Sequence, residues 1–532
     1  MPGFNYTPLE TARSIRLIQL EPQPFSSNAP CWCKFIHKSL DDSFEYDALS
    51  YTWGDGAVQR TISCEDGQEL KVGINLHSAL TALRSFEMRS SRLLWIDALC
   101  INQNDNEERN QQVSLMADIY SKAGQRAEEA NLGTFNLEYD KHYLEVGLPV
   151  PTSPEWVAFD NKFFYRDWFT RRWVAQELAL AKEPYVIISP MMIPWSMLVS
   201  VAKLCNDCLR RIPVHGTNPV VMENIAAEVK KSGRSSNLLS LLRRTSFLNC
   251  TNPKDKLYAL LGIAHPAFLK SFAPNYSMST VEVYENFATA MILADKRSLT
   301  ILNMVSQLPP ELHPTEAEGL SSWVPDWSSA YGLSNYLTSI DAPPYNSSKD
   351  SSPQPLIAGS ILIVEGMTAD EVMEVGPPLM PYVALDGAIL PPKRLMSEPY
   401  WTEFVRHVWS FAHNTEETNE ASKYRIDTHE ETAEKYIRHA KRYSTLRRLI
   451  TTSNKKIGLA PFMTEKGDKI CLFYGGQTPF ILRPKQGRLW RLIGECYISG
   501  LMNGEGFDEE APRMMEVLEK DGHWAPAKYF IE

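Results

Sequence analysis

Residues 93–101 read LLWIDALCI, an apolar run interrupted by one acidic residue, Asp97. A run without polar alternation is typical of a strand buried on both faces, as in parallel sheets covered by helices. The run YDALSYTW at 46–53 predicts a neighbouring strand, and RTISCEDGQELKV at 60–72 predicts a hairpin that turns at its Asp-Gly pair. We therefore predict an α/β domain with an open parallel sheet and flanking helices.

Three helices are predicted around these strands. Leu76, Leu80 and Leu83 recur at helical spacing directly after the hairpin. Asp105 and Glu108 form a capping box at the start of the next helix, which contains QQVSLMADIYSKA. The third helix lies in DWFTRRWVAQELALA. This alternation of strands and helices favours the α/β class.

The chain of 532 residues is long enough for two or three domains. We assign an N-terminal extension to 1–45 and the α/β domain to 46–190. Amphipathic runs such as NLLSLLRRTSFL and VYENFATAMILA predict a mainly helical region over 191–305. Residues 306–532 are predicted to form a mixed α/β C-terminal region. Its segment 467–500 alternates β-prone runs with Gly and Pro turns, which indicates a small β-rich end.

Composition and charge exclude several classes of function. The formal net charge of −10 disfavours a nucleic-acid footprint and docking on anionic lipid. The chain has no run of about 18 apolar residues, and its N-terminus lacks the apolar core of a signal peptide. We therefore expect a cytoplasmic protein without a membrane span. The nine cysteines are expected to be free thiols, since no histidines are spaced to complete a metal site with CWC or CNDC.

Candidate site residues follow the predicted strands and lie on the third helix. Ligands of open parallel sheets bind outside the carboxyl ends of the strands, so residues that follow neighbouring strands are expected to converge. Glu177 is the candidate catalytic residue, because it is the one carboxylate in the apolar helix RRWVAQELALA. The candidate substrate-binding residues are Tyr51, Trp53, Gly54, Asp55, Asp97, Asn102, Gln103, Arg172 and Trp173.

Structural interpretations of these residues stay open. Trp53 and Trp173 can also be interpreted as aromatic residues of the core. Asp97 can also be interpreted as a residue whose carboxylate caps the loop or helix that follows it. Glu177 is interpreted either as a functional carboxylate or as a structural hydrogen-bond acceptor, since a buried carboxylate has a raised pKa in both cases. The sequence has no GxxxxGK[ST], GxGxxG, HExxH or GxSxG motif. The sequence therefore leaves two kinds of site open: a catalytic site that uses carboxylates, or a site that binds a ligand without catalysis.

Three blocks of the sequence resemble the signature blocks of the fungal heterokaryon incompatibility (HET) domain. They are YDALSYTWGD at 46–55, LLWIDALCINQNDNEERNQQVSLMADIYSKA at 93–123 and WFTRRWVAQELALA at 168–181. Their order and spacing fit that family. Further downstream, NPKDKLYALLGIA at 252–264 and SSWVPDWS at 321–328 are similar to segments that recur in many HET proteins.

The resemblance implies a role in fungal non-self recognition, in which such domains trigger programmed cell death after incompatible cells fuse. It implies protein partners or self-association through the HET domain. HET domains are similar in turn to Toll/interleukin-1 receptor (TIR) domains, some of which hydrolyse NAD with a glutamate on a helix. RRWVAQEL is similar to that helix, and its glutamate is Glu177. The implied reaction is cleavage of an N-glycosidic bond, with NAD as the substrate and no cofactor.

One segment departs from the family pattern. HET domains usually carry an apolar strand with a Trp-Leu-Gly-like end after the IYSKA helix, whereas here RAEEANLG follows and only Leu132 and Gly133 correspond. A missing strand would leave neighbouring strand edges unpaired. Three hypotheses result: a cell-death signalling module that works by assembly, an NAD+ nucleosidase with Glu177 as catalytic carboxylate, and a degenerate non-catalytic paralogue that only binds partners.

Overall fold

The architecture is that of a computed structural model, which describes residues 5–22, 31–54, 56–85, 90–124, 153–188, 191–208, 217–234, 237–265, 272–294, 299–309, 318–328, 345–349, 351–379, 446–509 and 527–532. The chain divides into two compact units, Met1–Met278 and Ser279–Glu532. Their boundary lies within the region that we assigned to helices, 191–305. The sequence departs from the HET pattern at 124–147, and apart from Gly124 this segment lies outside the described residues.

A six-stranded mixed sheet lies at the centre of the first unit. Its strands are β1 (Ser14–Leu20), β2 (Trp32–Ser39), β3 (Asp47–Ala48), β4 (Gln59–Cys64), β5 (Glu69–Gly73) and β6 (Arg92–Trp95), in the order β3-β6-β1-β2-β4-β5. Strand β1 is antiparallel to both of its neighbours, whereas β3–β6 and β2–β4 are parallel pairs. The predicted open parallel sheet is therefore corrected to a mixed sheet, because β1 separates the two parallel pairs.

Two of these strands come from residues that we assigned to an N-terminal extension. Strand β1, with the sequence SIRLIQL, is buried at every residue except Gln19. Arg16 interrupts its apolar pattern, and this conceals the strand in the sequence. The Arg16 side chain is only 1% exposed. Its buried charge is compensated by Glu108, 92 residues further along the chain, whose Oε1 lies 2.8 Å from Nη1 of Arg16. The first 45 residues thus supply two central strands of the same sheet.

The first helices of this unit pack apolar residues against the sheet, and further helices come after them in the chain. They are α1 (Ile74–Ser85), α2 (Asp97–Cys100), α3 (Asn106–Lys122), α4 (Pro154–Phe159), α5 (Trp173–Leu180), α6 (Trp195–Cys208), α7 (Thr217–Ser232), α8 (Leu238–Arg244) and α9 (Asp255–Leu261). Strands β7 (Tyr185–Ile188) and β8 (Met191–Pro194) form a separate hairpin before α6. Helices α6 to α9 lie in the region 191–305 that we assigned to helices.

Of the local features predicted for this unit, the structure confirms the hairpin and the helix cap and shortens one strand. The hairpin is confirmed, since β4 and β5 pair around a short turn at Glu65–Gly67. The cap at Asp105 is confirmed as well, because its carboxylate accepts hydrogen bonds from the backbone N–H groups of Glu107 and Glu108. The strand predicted over 93–101 is shorter: β6 ends at Trp95, and the rest of the run forms the helical turn α2 within the same core.

The second unit is dominated by a nine-stranded sheet that extends well beyond the predicted β-rich end. Strand β10 pairs with both β17 and β13, which closes β13, β14, β15, β17 and β10 into a ring. The elements are α10 (Thr280–Ala294), β9 (Leu356–Ala358), β10 (Ile361–Leu379), β11 (Arg447–Thr452), β12 (Ile457–Pro461), β13 (Lys469–Phe473), β14 (Phe480–Pro484), β15 (Leu489–Glu495), β16 (Tyr497–Ile498), α11 (Glu505–Glu509) and β17 (Ala527–Ile531).

Candidate functional site

Two loops meet where the parallel strands β3 and β6 end. The register of this pair joins Ala48 to Trp95, so the residues that follow both strands emerge at the same edge of the sheet. The indole Nε1 of Trp53 donates a hydrogen bond to Oδ2 of Asp97, over 3.0 Å. The other carboxylate oxygen accepts from the backbone N–H of Ala98 at 2.8 Å. The convergence of Trp53 and Asp97 predicted from the sequence is therefore present.

Arg171 joins this pair from a third element. It lies just before α5, and its Nη2 is 3.9 Å from Oδ2 of Asp97. Its Nη1 also donates to the backbone carbonyl of Tyr51. The side chains of Arg171 and Asp97 are each 19% exposed, so their attraction is screened less by solvent than that of a surface pair. Arg171 thus connects the start of α5 to both loops.

Glu177 lies one turn and a half further along α5 and is 4% exposed. The side chains of Ser50 and Tyr120 lie beside its carboxylate and oppose the rise of its pKa. Ser50 is itself held by Trp168, whose Nε1 donates to Ser50 Oγ at 2.8 Å. Within the described part of the chain, Oε2 of Glu177 has no hydrogen-bond partner. A buried carboxylate oxygen without a partner is unfavourable for folding, and such groups concentrate at functional sites.

The site holds two carboxylates and one guanidinium close together. Burial raises the pKa of Glu177, and the charge of Asp97 raises it further, while Arg171 opposes both effects. Burial also raises the pKa of Asp97, against the opposing influence of Arg171 and of the Trp53 hydrogen bond. The negative charge exceeds the positive charge when both carboxylates are ionised. The cluster therefore favours a proton or a cationic group of a ligand.

Two predicted residues of α5 face elsewhere. Arg172 is fully buried, and its Nη1 donates to the carbonyl of Thr245 at 2.6 Å, beyond the end of α8. Trp173 donates its Nε1 to Oδ2 of Asp255 at 3.2 Å, at the start of α9. Both side chains fasten α5 to neighbouring helices. The convergence that we expected for Arg172 and Trp173 with Asp97 is therefore corrected.

The remaining predicted residues shape the loops. Asn102 Oδ1 accepts from the backbone N–H of Asn104, and Gln103 Nε2 donates to the carbonyl of Asp97 at 2.9 Å. Tyr51 is buried beside Asp97, and burial raises the pKa of its hydroxyl. Gly54 has φ +78°, a left-handed conformation that favours glycine. Asp55 lies outside the described residues.

A buried ion pair between Arg16 and Glu108 anchors the loop that carries Asp97. Arg16 of β1 donates to Glu108 of α3 and also to the carbonyl of Cys100, over 2.8 Å in each case. The same Glu108 oxygen accepts from the backbone N–H of Asn102 at 2.6 Å. These bonds fix both ends of the segment 100–108 and so hold the loop in place beside Asp97.

Three residues of the site were missed from the sequence. Arg171 was passed over for its neighbour Arg172, although both belong to the RRW motif. Ser50 belongs to the SYTW block and Tyr120 to the IYSKA block, so both lie in segments that we had already singled out. Tyr120 is buried in the core, and its side chain also influences the pKa of Glu177.

Neither a metal centre nor a membrane span is found in the described part of the chain. Its His, Cys, Asp and Glu side chains nowhere gather in a group of three that could hold a metal ion. None of its helices combines the length and the apolar character needed to cross a bilayer.

Comparison with known proteins finds a family match in the N-terminal part of the chain and another in the C-terminal part. The family model for "Heterokaryon incompatibility protein (HET)" matches residues 46–177, and that for "Het-6 beta-barrel domain" matches 398–514. No solved structure matches. A curated relative, "Heterokaryon incompatibility protein 6, OR allele" of Neurospora crassa, is 24% identical over 92% of this chain and 94% of its own length. That alignment covers 647 residues, more than this chain has, so the relative contains segments without a counterpart here.

The first family match coincides with the candidate site. It begins at the strand before Ser50 and Trp53, and it ends at Glu177 itself. It therefore includes all the residues that the structure brings together around Asp97 and Arg171. The resemblance stated from the sequence blocks is confirmed: residues 46–177 match the HET family model, residues 398–514 match the Het-6 beta-barrel domain, and the aligned relative is named a heterokaryon incompatibility protein.

Proposed function

We propose that this protein acts in fungal non-self recognition and that its HET domain triggers cell death when the protein assembles. The name of the Neurospora crassa relative describes that protein as a heterokaryon incompatibility protein, and the alignment extends over nearly the whole of both chains. The two family matches lie in different parts of the chain, at 46–177 and at 398–514. These similarities support a role in incompatibility for the full-length protein and not for the HET domain alone.

We further propose that the HET domain cleaves the N-glycosidic bond between nicotinamide and ribose in NAD+. The observation that carries this proposal is Glu177 Oε2, a buried carboxylate oxygen without a partner among the described residues. In the reaction the carbon–nitrogen bond breaks and its electron pair leaves with nicotinamide. Water adds to the ribose carbon and loses a proton, so that NAD+ and water give ADP-ribose, nicotinamide and a proton.

Each side chain of the cluster has a role in this proposal. The ionised carboxylate of Glu177 stabilises the positive charge that develops on the ribose in the transition state. The excess of carboxylate over guanidinium charge favours the cationic nicotinamide end of the substrate. Trp53 offers an aromatic face at the entrance, since its side chain is 43% exposed. Arg171 keeps the pKa of Glu177 lower than burial alone would set it.

In this proposal, a substrate reaches Glu177 only when the loop that carries Trp53 moves. The carboxylate is almost completely covered in the isolated chain, whereas Trp53 is exposed and attached to Asp97 by one hydrogen bond. In this proposal, breaking that bond lets the Trp53 loop move away from Asp97. We therefore expect activity to depend on assembly, if assembly holds the Trp53 loop in its open position.

The test is NAD+ consumption by the purified full-length chain, both dilute and clustered by a fused oligomerisation tag. We expect the wild type to release nicotinamide when it is clustered, and Glu177→Gln to lose the activity with its folding intact. Glu183→Gln is the matched control, because Glu183 is an exposed carboxylate just beyond the same helix. If clustered wild type consumes no NAD+, or if Glu177→Gln consumes it as fast as the wild type, the enzymatic proposal fails.

Forced clustering in fungal cells separates the enzyme from a scaffold. A scaffold kills when it is clustered, even with Glu177 replaced by Gln, whereas the proposed enzyme then leaves the cells viable. A degenerate paralogue predicts no toxicity for either variant. Cell viability and NAD+ level measured in the same cultures distinguish the three outcomes.

A further inference from the structure

Two buried cysteines face each other across the parallel strands β2 and β4. Cys33 and Cys64 are register partners, and their Sγ atoms lie 3.8 Å apart. Paired residues of neighbouring strands have Cα atoms about 5 Å apart and point to the same face of the sheet. That spacing lies within the range of about 4.4–6.8 Å that a disulfide spans. Side-chain rotation alone can therefore bring the two sulfur atoms to bonding distance, which is about 2 Å.

The pair lies at a narrow joint of the sheet. Strands β2 and β4 are paired over two residue pairs, Trp32 with Ser63 and Cys33 with Cys64. By contrast, β1 and β2 are paired over seven residues, and β4 and β5 over five. Because β5 is the last strand of the sheet, the β4–β5 hairpin is hydrogen-bonded to the other four strands through this short pairing. A covalent bond at this position would fasten the hairpin to the sheet.

The hairpin in turn supports the loop that carries Trp53. Gly73 ends β5, and a Cβ atom placed there would lie 3.1 Å from the backbone carbonyl of Trp53. Asn75, two residues later, donates its Nδ2 to Thr52 Oγ1 at 3.3 Å. The position of the Trp53 loop therefore depends on the position of the hairpin.

We propose that Cys33 and Cys64 form a reversible disulfide when the protein meets a hydroperoxide, and that this bond fixes the β4–β5 hairpin beneath the Trp53 loop. One thiolate attacks a peroxide oxygen and becomes a sulfenic acid, while the alcohol, or water from hydrogen peroxide, leaves. The second thiol attacks the sulfenic sulfur, and water leaves. Two thiols and one hydroperoxide thus give one disulfide, one alcohol and one water. A small thiol reverses the reaction by exchange.

The oxidant reaches the pair through the end of the hairpin. Both thiols are buried, but Cys64 is the last residue of β4 and adjoins the turn Glu65–Gly67, whose backbone is on the surface. Opening of a hairpin end needs far less free energy than global unfolding, and it exposes Cys64 first. Cys31 provides an internal comparison, because it is buried just before β2, whereas the register partner of Cys64 is Cys33.

The experiment treats the reduced full-length protein with hydrogen peroxide, alkylates the remaining thiols and maps the peptides by mass spectrometry. We expect a peptide that links Cys33 to Cys64, a loss of two of the nine free thiols, and a melting temperature raised by several degrees. Dithiothreitol should reverse all three changes. Cys33→Ala and Cys64→Ala should abolish them, whereas the control Cys31→Ala should keep them.

Peptide mapping of the wild type decides the proposal even if a variant fails to fold. Full alkylation of Cys33 and Cys64 after peroxide treatment, or a link from either of them to a different cysteine, overturns it. A link between Cys33 and Cys64 without any change of melting temperature overturns the claim that the bond fastens the hairpin. None of these readouts depends on NAD+ cleavage, so the outcome is independent of the proposed function.

Discussion

The charges around Glu177 do not balance when every side chain is ionised. Among the described residues, the carboxylates of Glu177 and Asp97 share the guanidinium of Arg171, and burial raises the pKa of both acids. The folded protein therefore binds protons more tightly at this site than the unfolded chain does. Because proton binding and stability are linked, the site has a predictable effect on the pH dependence of unfolding.

The first prediction concerns stability at Glu177. The folded pKa lies above the unfolded value of about 4.3, so the wild type is stabilised below that value and loses this stability as the pH rises through the folded pKa. Glutamine cannot ionise, so Glu177→Gln should gain stability relative to wild type as the pH rises. Urea midpoints between pH 4 and pH 8 measure the difference. A difference that stays constant over this range would contradict a raised pKa of Glu177.

The second prediction rests on the proposed NAD+ cleavage and concerns Arg171. Catalysis needs the ionised form of Glu177, so the acidic limb of the pH–rate profile should follow the pKa of this residue. Arg171 lowers that pKa, and Arg171→Met should therefore move the limb to higher pH, with less effect on the rate at high pH. Rates of nicotinamide release across pH test this. The exposed Arg166→Met serves as the control and should leave the limb in place.

At the scale of the elements, α5 is held by close contacts with its neighbours. Gln176 Oε1 accepts from the backbone N–H of Gly262 at 2.9 Å, at the end of α9. A Cβ atom on Gly262 would lie 2.4 Å from that same oxygen and 3.0 Å from Cβ of Ala117. Gly262 has ordinary helical backbone angles, so the requirement for glycine here comes from helix packing. The site helix therefore sits in a position that a single methyl group would disturb.

The third prediction follows from this contact. Gly262→Ala should destabilise the first unit by about 1–3 kcal/mol, because the added methyl group overpacks a buried junction. Urea unfolding measures the change. Combination with Gln176→Ala should recover part of the loss, since the nearest clashing atom is then removed. Additive effects of the two substitutions would mean that Gly262 and Gln176 act independently.

The fourth prediction concerns the ion pair between β1 and α3. Glu108→Ala leaves Arg16 buried without its carboxylate, which should cost about 3–5 kcal/mol. The exposed pair of Arg13 and Asp41 is the control, and Asp41→Ala should cost less than about 1 kcal/mol. Chemical denaturation of both variants gives the comparison. Equal small losses would indicate that water reaches Arg16 in the folded protein.

At the scale of the whole molecule, the chain consists of two compact units, each with its own buried ion pair. In the second unit Arg447 and Glu495 are joined over 2.9 Å, and Asn303 Nδ2 donates to the same carboxylate. Each pair lies wholly within one unit. Substitution of either pair therefore reports on the stability of its own unit.

The fifth prediction is that the two units unfold in separate transitions. Glu108→Ala should lower the melting temperature of one transition, and Glu495→Ala that of the other. Differential scanning calorimetry of the full-length chain resolves them. If both variants lower one common transition equally, the two units unfold cooperatively.

Local signals in the sequence predicted local structure where the responsible residues are neighbours. The Asp-Gly turn formed the hairpin of β4 and β5, and Asp105 capped α3. The burial of Glu177 was expected from the apolar residues around it in α5. The TWGD, WIDALCINQ and RRWVAQEL blocks indicated the HET family, which the family comparison confirmed. The turn, the cap and the burial of Glu177 each depend on residues within about one turn of helix or one hairpin, whereas the family inference also used the order and spacing of the three blocks.

Only the tertiary structure decided the order of the strands and the composition of the site. The strand with Arg16 was hidden because its partner Glu108 is distant in sequence. Arg171 faces Asp97 and Arg172 faces α8, because the backbone changes from extended at Arg171 to helical at Arg172 and turns the two side chains apart. The sequence by itself determined which segments carry the site and that one helix buries a carboxylate. Which side chains meet there depends on contacts between distant segments, and local periodicity contains no record of such contacts.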